Sequence, residues 1–109
     1  MNTNRSDFPM RTLFLNKGLF YPYSKLDNGK YPWEDKIHTS NRIRDDLDRN
    51  GVVYGKNELL RVRFSREVAN LIGGKKRAKT FLKEAFGIFQ EQNSPSPFFV
   101  DIEMQAPQK

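Results

Sequence analysis

Two adjacent glycines, Gly73 and Gly74, interrupt what is otherwise a helical pattern from Ser65 to Gln90. Val68, Leu71 and Ile72 form one apolar face before them, and Ala78, Phe81, Leu82, Ala85 and Phe89 form another after them. A single helix over this span would be about 39 Å long at 1.5 Å per residue, against a radius of gyration of about 13 Å for a domain of this size. The two glycines would also cost a helix interior roughly 2 kcal/mol relative to alanine. The pattern therefore predicts two helices that turn on Gly73-Gly74. Upstream, residues 59–64 alternate, with Leu60, Val62 and Phe64 facing a core and Arg61 and Arg63 facing out. Ser65 is placed to cap the first of the two helices, with Glu67 in its first turn.

The same stretch carries the chain's charge. Residues 61–83 hold eight Lys and Arg against one Glu, a net +7, whereas the 109-residue chain carries +6, so the remainder sums to −1. Concentration of charge on one strand and two helices points to an electropositive surface and a nucleic-acid partner, DNA or RNA. Lys75, Lys76 and Arg77 follow the glycines at a helix N-terminus, where free N–H groups and the helix dipole favour phosphate. Lys76, Lys79 and Lys83 continue as a stripe at spacings of three and four. Arg61, Arg63, Lys75, Lys76, Arg77, Lys79 and Lys83 are the expected phosphate contacts. A solvated helix face chosen for solubility is the bland alternative.

A helix-turn-helix match is partial. With Ala69 as the small residue, Gly73 falls at the turn and Val68, Ile72 and Leu82 at buried positions, but Lys79 occupies a position that motif keeps apolar. A Walker phosphate loop is absent, because no strand enters the adjacent glycines and Lys75 is followed by Lys76. Residues 75–79 also fit a nuclear import pattern, which short basic runs meet by chance.

The rest of the chain reads as a small α+β domain. Residues 10–15 are a strand candidate, and turn signals at Asn16-Lys17-Gly18 and Asp27-Asn28-Gly29 suggest a meander of short strands through residue 33. Pro22 confines its strand to an edge. A short helix is expected over residues 40–50, capped by Thr39 or Ser40, with Ile43 and Leu47 on its buried stripe and Asn50-Gly51 as its stop. Residues 52–54 are short and apolar, and residues 55–57 are a turn. Residues 93–97 are a linker, and residues 98–104 a closing strand with Phe98, Val100, Ile102 and Met104 inward. The expected architecture is a mostly antiparallel sheet with two or three helices in one domain over residues 10–105, between a flexible lead (1–9) and a loose tail (106–109). In the order strand, helix, strand, strand, helix, strand it would be ferredoxin-like. Leu13-Phe14-Leu15-Asn16 then resembles the first strand of an RNA recognition motif, but Arg61 and Arg63 stand where that family exposes aromatics, and the family is not assigned.

Tyr21, Tyr23, Tyr31 and Trp33 interleave with Lys17, Lys25 and Lys30. Tyr21, Tyr23 and Trp33 are candidates for stacking on bases, or simply rings that close one side of a core. Enzyme readings fare poorly. His38 is the single histidine and there is no cysteine, so thiol catalysis and Cys-bound zinc are excluded, and no cofactor or metal is expected. Asp45, Asp46 and Asp48 lie among Arg42, Arg44 and Arg49 and read as ion-paired. Asp101, Glu103 and Gln105 share a strand face in a way that distantly suggests a metal nuclease, though plain alternation explains them. The absence of cysteine favours a reducing, cytoplasmic setting, and no apolar run approaches the roughly 18 residues of a membrane span. The expected function is a small regulatory DNA- or RNA-binding protein without catalysis or a small-molecule substrate. The alternative is a protein-protein adaptor or inhibitor of the size mobile genetic elements encode, using the basic face or the aromatic region.

Overall fold

The computed structural model describes residues 10–52, 59–93 and 99–105. The lead, residues 53–58 with the expected turn, the linker beyond Asn93, Phe98 and the tail lie outside them. In chain order the elements are β1 (Met10–Leu15), two 3-10 turns (Lys17–Phe20 and Pro32–Glu34), α1 (Lys36–Arg49), β2 (Leu59–Phe64), α2 (Arg66–Ile72), α3 (Lys75–Asn93) and β3 (Phe99–Met104).

The three strands form one sheet in the order β1-β2-β3, and both pairings are parallel. This overturns the expected antiparallel sheet and gives no support to a ferredoxin-like order. Parallel neighbours need a long crossover, usually helical, and here α1 lies between β1 and β2 while α2 and α3 lie between β2 and β3. The register sets Leu13, Val62 and Ile102 side by side, and Leu15, Phe64 and Met104 two residues further on. Beyond the strand ends, Ser65 N–H donates to Leu15 O (3.2 Å) and Gln105 N–H to Phe64 O (2.8 Å).

The predicted meander fails for local reasons. Asn16 Oδ1 accepts from Gly18 N–H (3.0 Å) and Asn16 O accepts from Leu19 N–H (2.9 Å), which starts a 3-10 turn instead of a hairpin. Leu19 and Phe20 are consecutive and both buried, which the period of two in a strand with one buried face does not allow. The second turn signal does fold, since Gly29 (φ 86°) closes a loop in which Leu26 N–H donates to Lys30 O (2.7 Å). The residues on either side of it are not strands. Asn28 Nδ2 instead donates to Asp35 Oδ2 (2.6 Å) and ties the loop to the start of α1.

Asp35, not Thr39 or Ser40, caps that helix. Its Oδ1 accepts from Ile37 N–H (3.0 Å) and His38 N–H (3.1 Å), so α1 begins at Lys36, four residues before the expected start. Thr39 and Ser40 are buried inside it, and Thr39 Oγ1 donates to Pro32 O (3.3 Å). Ile43 and Leu47 are buried as their spacing predicts.

From β2 onward the chain follows its sequence pattern. Leu60, Val62 and Phe64 are fully buried, Ser65 Oγ accepts from Val68 N–H (3.3 Å), and α2 ends at Gly73 in the left-handed region (φ 119°). Gly74 is also left-handed (φ 122°). Both glycine N–H groups donate to Ala69 O, at 3.0 and 2.7 Å, before α3 begins. Ala78, Phe81, Leu82, Ala85, Phe86 and Phe89 of α3 join Leu13, Leu15, Leu60, Val62, Phe64 and Ile102 of the sheet in one core cluster. Leu13, Leu15, Leu60, Val62, Phe64 and Ile102 are buried and the strand residues between them are not, so among the described residues the helices cover one face of the sheet and the other is open.

Gly73→Ala and Gly74→Ala should each cost about 1–3 kcal/mol, because alanine is strained at positive φ. At Gly73 the new Cβ would meet only the movable Arg77 side chain (3.0 Å to Cδ), and at Gly74 nothing within 4 Å, so backbone strain dominates. Gly87, inside α3 with nothing within 4 Å of an added Cβ, should behave oppositely, Gly87→Ala adding about 0.5–1 kcal/mol. Urea midpoints for the three variants check the signs. Asp35→Ala should cost about 1 kcal/mol. The hydrogen bond from His38 N–H, helped by Asn28, Ile37 N–H and Lys30 and opposed by burial, holds the Asp35 carboxyl below its ordinary 3.8. Stability from a lowered carboxyl pKa is complete above the unfolded value and lost as pH falls through the folded one. The gap between wild type and Asp35→Ala should therefore be constant near neutrality and shrink below about pH 4.

Candidate functional site

Burial of Ala78, Phe81, Leu82, Ala85, Phe86 and Phe89 fixes the rotation of α3 about its axis, and Lys75, Lys76, Arg77, Lys79 and Lys83 are left exposed. None of the five pairs with a carboxylate among the described residues. Nearby acids are engaged elsewhere: Glu84 bonds Lys36 (2.5 Å) and Glu67 lies 3.6 Å from Lys17. The start of α3 also breaks the usual helix rules. Its first turn holds three cations and no acid, against the macrodipole. Gly74 O accepts the first helical bond, from Ala78 N–H (2.8 Å), but glycine has no side chain to accept from the amides that follow. Arg77 folds back over Gly73. A shallow depression here is lined by Gly73, Gly74, Lys75, Lys76, Arg77 and Thr80.

Arg61 and Arg63 do not join this group. They project from the open face of the sheet, with the sheet itself between them and α3. The parallel register sets Arg61 beside Asp101 and Arg63 beside Glu103. Arg61 Nε lies 3.1 Å from Glu103 Oε2 and 3.7 Å from Asp101 Oδ2, and Arg63 Nη2 lies 3.7 Å from Glu103 Oε1. The single basic surface read from the sequence is thus two surfaces, one of them neutralised. A signal was available: Arg61 and Arg63 have the same two-residue spacing as Asp101 and Glu103, which is what two neighbouring parallel strands require for a charge ladder.

The aromatic residues divide in a similar way. Tyr21 and Tyr23 are exposed, at 63% and 40%, and pack edge to face at 5.7 Å. The Tyr23 hydroxyl donates to Lys17 O (3.0 Å). Tyr31 and Trp33 stack at 4.7 Å and 5°, with Lys25 Nζ 5.5 Å over the Tyr31 ring. Trp33 is half-buried against the core and borders a groove with Leu71, Ile72, Arg77 and Phe81. Sequence reasoning missed this groove, because one wall comes from residues 33–36 and the other from residues 71–81, more than thirty residues further along the chain.

Val68, Ala69, Ile72 and Leu82 are buried as a helix-turn-helix would have them, yet Lys79 is exposed and the link is only two residues long. His38 is half-buried, and desolvation, with Arg42 adding and Asp35 opposing, lowers its pKa. Asp46 bonds Arg49 (2.6 Å) and is pushed up by burial, while Asp45 lies 4.0 Å from Arg44. Among the described residues no group of His, Cys, Asp and Glu is placed to hold a metal ion, and no helix is long and apolar enough to cross a membrane. Searches of family models, curated proteins and solved structures found no match to the chain.

Proposed function

We propose that the chain binds nucleic acid through α3, without catalysing a reaction, and that Lys75, Lys76, Arg77, Lys79 and Lys83 contact phosphates. One observation carries this reading: among the described residues, five cations stand without a carboxylate partner on one helix, while Glu84 of the same helix, Glu67 of α2 and Asp101 and Glu103 of β3 are matched to other partners. Three of the five oppose the dipole of their own helix at an end with no side-chain cap. Such local conflict is what binding sites retain, and a bound phosphate would relieve it. Arg61 and Arg63 are already matched by Asp101 and Glu103, so they contribute little.

If five phosphates are engaged, fluorescence anisotropy should give a log–log salt slope of about −4.5 on duplex or about −3.5 on a single strand. Replacing Lys75, Lys76, Lys79 and Lys83 with Glu should abolish binding in a folded protein, whereas Arg61→Ala with Arg63→Ala should change affinity by less than about threefold. Undiminished binding by the quadruple variant would refute the assignment.

A second reading, a protein partner, is favoured by the open sheet. Parallel sheets are nearly always covered on both faces, and here Phe14 stands 52% exposed beside Arg63. On that reading a specific protein is recovered from host lysate after nuclease treatment, and Phe14→Asp loses it. Recovery that vanishes with nuclease excludes it.

A further inference from the structure

We infer that the groove between the second 3-10 turn and helices α2 and α3 receives an unpaired nucleobase, so that the ligand class is single-stranded nucleic acid. The inference rests on the phosphate-binding reading of α3 and adds a second kind of contact to it. The groove, about 350 Å³, is lined by Trp33, Leu71, Ile72 and Phe81, with Glu34, Lys36 and Arg77. That volume lies in the range of about 300–1,000 Å³ typical of small-ligand sites.

Its charges are arranged for a neutral ring, not for a phosphate. Lys36 is engaged by Glu84 (2.5 Å), and Glu34 Oε1 accepts from Tyr31 N–H (2.9 Å), leaving a carboxylate that repels phosphate from the groove itself. Arg77 is the lining cation without a carboxylate partner among the described residues, and it also lines the depression formed by Gly73, Gly74, Lys75, Lys76 and Thr80. Apolar groove and cationic helix end therefore meet at one side chain. A strand with a phosphate on Arg77 would bring a neighbouring base to the groove that Trp33 lines. Tyr31 stacks on one face of the indole at 4.7 Å and holds its plane, so a base would meet the part of Trp33 that lines the groove, with little side-chain entropy lost. A duplex keeps its bases paired and cannot enter.

Trp33 is the one tryptophan in the chain, so its emission reports on the groove directly. Titration with an oligothymidylate of about twelve nucleotides should quench it, with the same midpoint as anisotropy. An abasic strand of equal length should bind through its phosphates with little quenching, and duplex DNA likewise. Trp33→Leu should weaken binding of the oligothymidylate about tenfold and leave the abasic strand and the duplex unchanged, with Trp33→Phe recovering part of the loss. Should Trp33→Leu lose its fold, the contrast between oligothymidylate and abasic strand on the wild-type protein decides. Saturating anisotropy without quenching, or equal quenching by the abasic strand, overturns the base site and leaves the phosphate reading standing. Failure of all three ligands to bind at low salt overturns both.

Discussion

The cationic side of α3 exists because its other side cannot leave the sheet. Phe81, Leu82, Phe86 and Phe89, with Ala78 and Ala85 as the small residues between, are buried in the same cluster as the inward residues of all three strands. Each large side chain so buried contributes about 1.5–3 kcal/mol, far more than the few tenths that mutual repulsion among exposed lysines costs on a helix. Packing thus wins over electrostatics, and the lysines are presented at fixed spacing on a rigid element. The Gly73-Gly74 turn is the other half of the same constraint, because it lets α2 and α3 share one core.

Charge distribution follows from register. On the open face, Arg61 and Arg63 meet Asp101 and Glu103 because parallel strands place equal spacings side by side. These pairs are one-third to half exposed and add little stability. Their effect is to remove two cations from the electropositive surface, so the excess charge of residues 61–83 gathers on the helix layer.

Legibility in the sequence tracked how local the determining physics was. The run from Leu59 to Phe89 was readable because its signals are short-range: alternation in β2, the Ser65 cap, the glycine pair and the apolar stripe of α3. The turn at Asp27-Asn28-Gly29 forms as its residues indicate, but the strands expected on either side of it do not, because Asn16 and Asn28 use their side chains to bond nearby backbone or the Asp35 cap, and consecutive Leu19 and Phe20 both turn inward. Thr39 and Ser40 looked like caps, but Asp35 lies four residues earlier and accepts two amides. Strand direction was not legible at all, since nothing within one strand says which way its neighbour runs. The cationic residues on α3 were legible and the groove at Trp33 was not, because it needs Leu71, Ile72 and Phe81 brought beside a distant loop.

The parallel sheet also constrains the order of events as the chain folds. Met10 lies beside Leu59, and Leu59 beside Phe99, so every strand pairing closes a loop of dozens of residues and none can be made by a hairpin. Such closure costs chain entropy before any ladder bond repays it. A core that needs all three strands stays incomplete until Phe99–Met104 is in place, whereas the contacts around Gly73-Gly74 span only a few residues. The segment that carries the charge has both kinds of contact: its glycine turn closes over a few residues, while β2 and α3 are completed only by β1, α1 and β3.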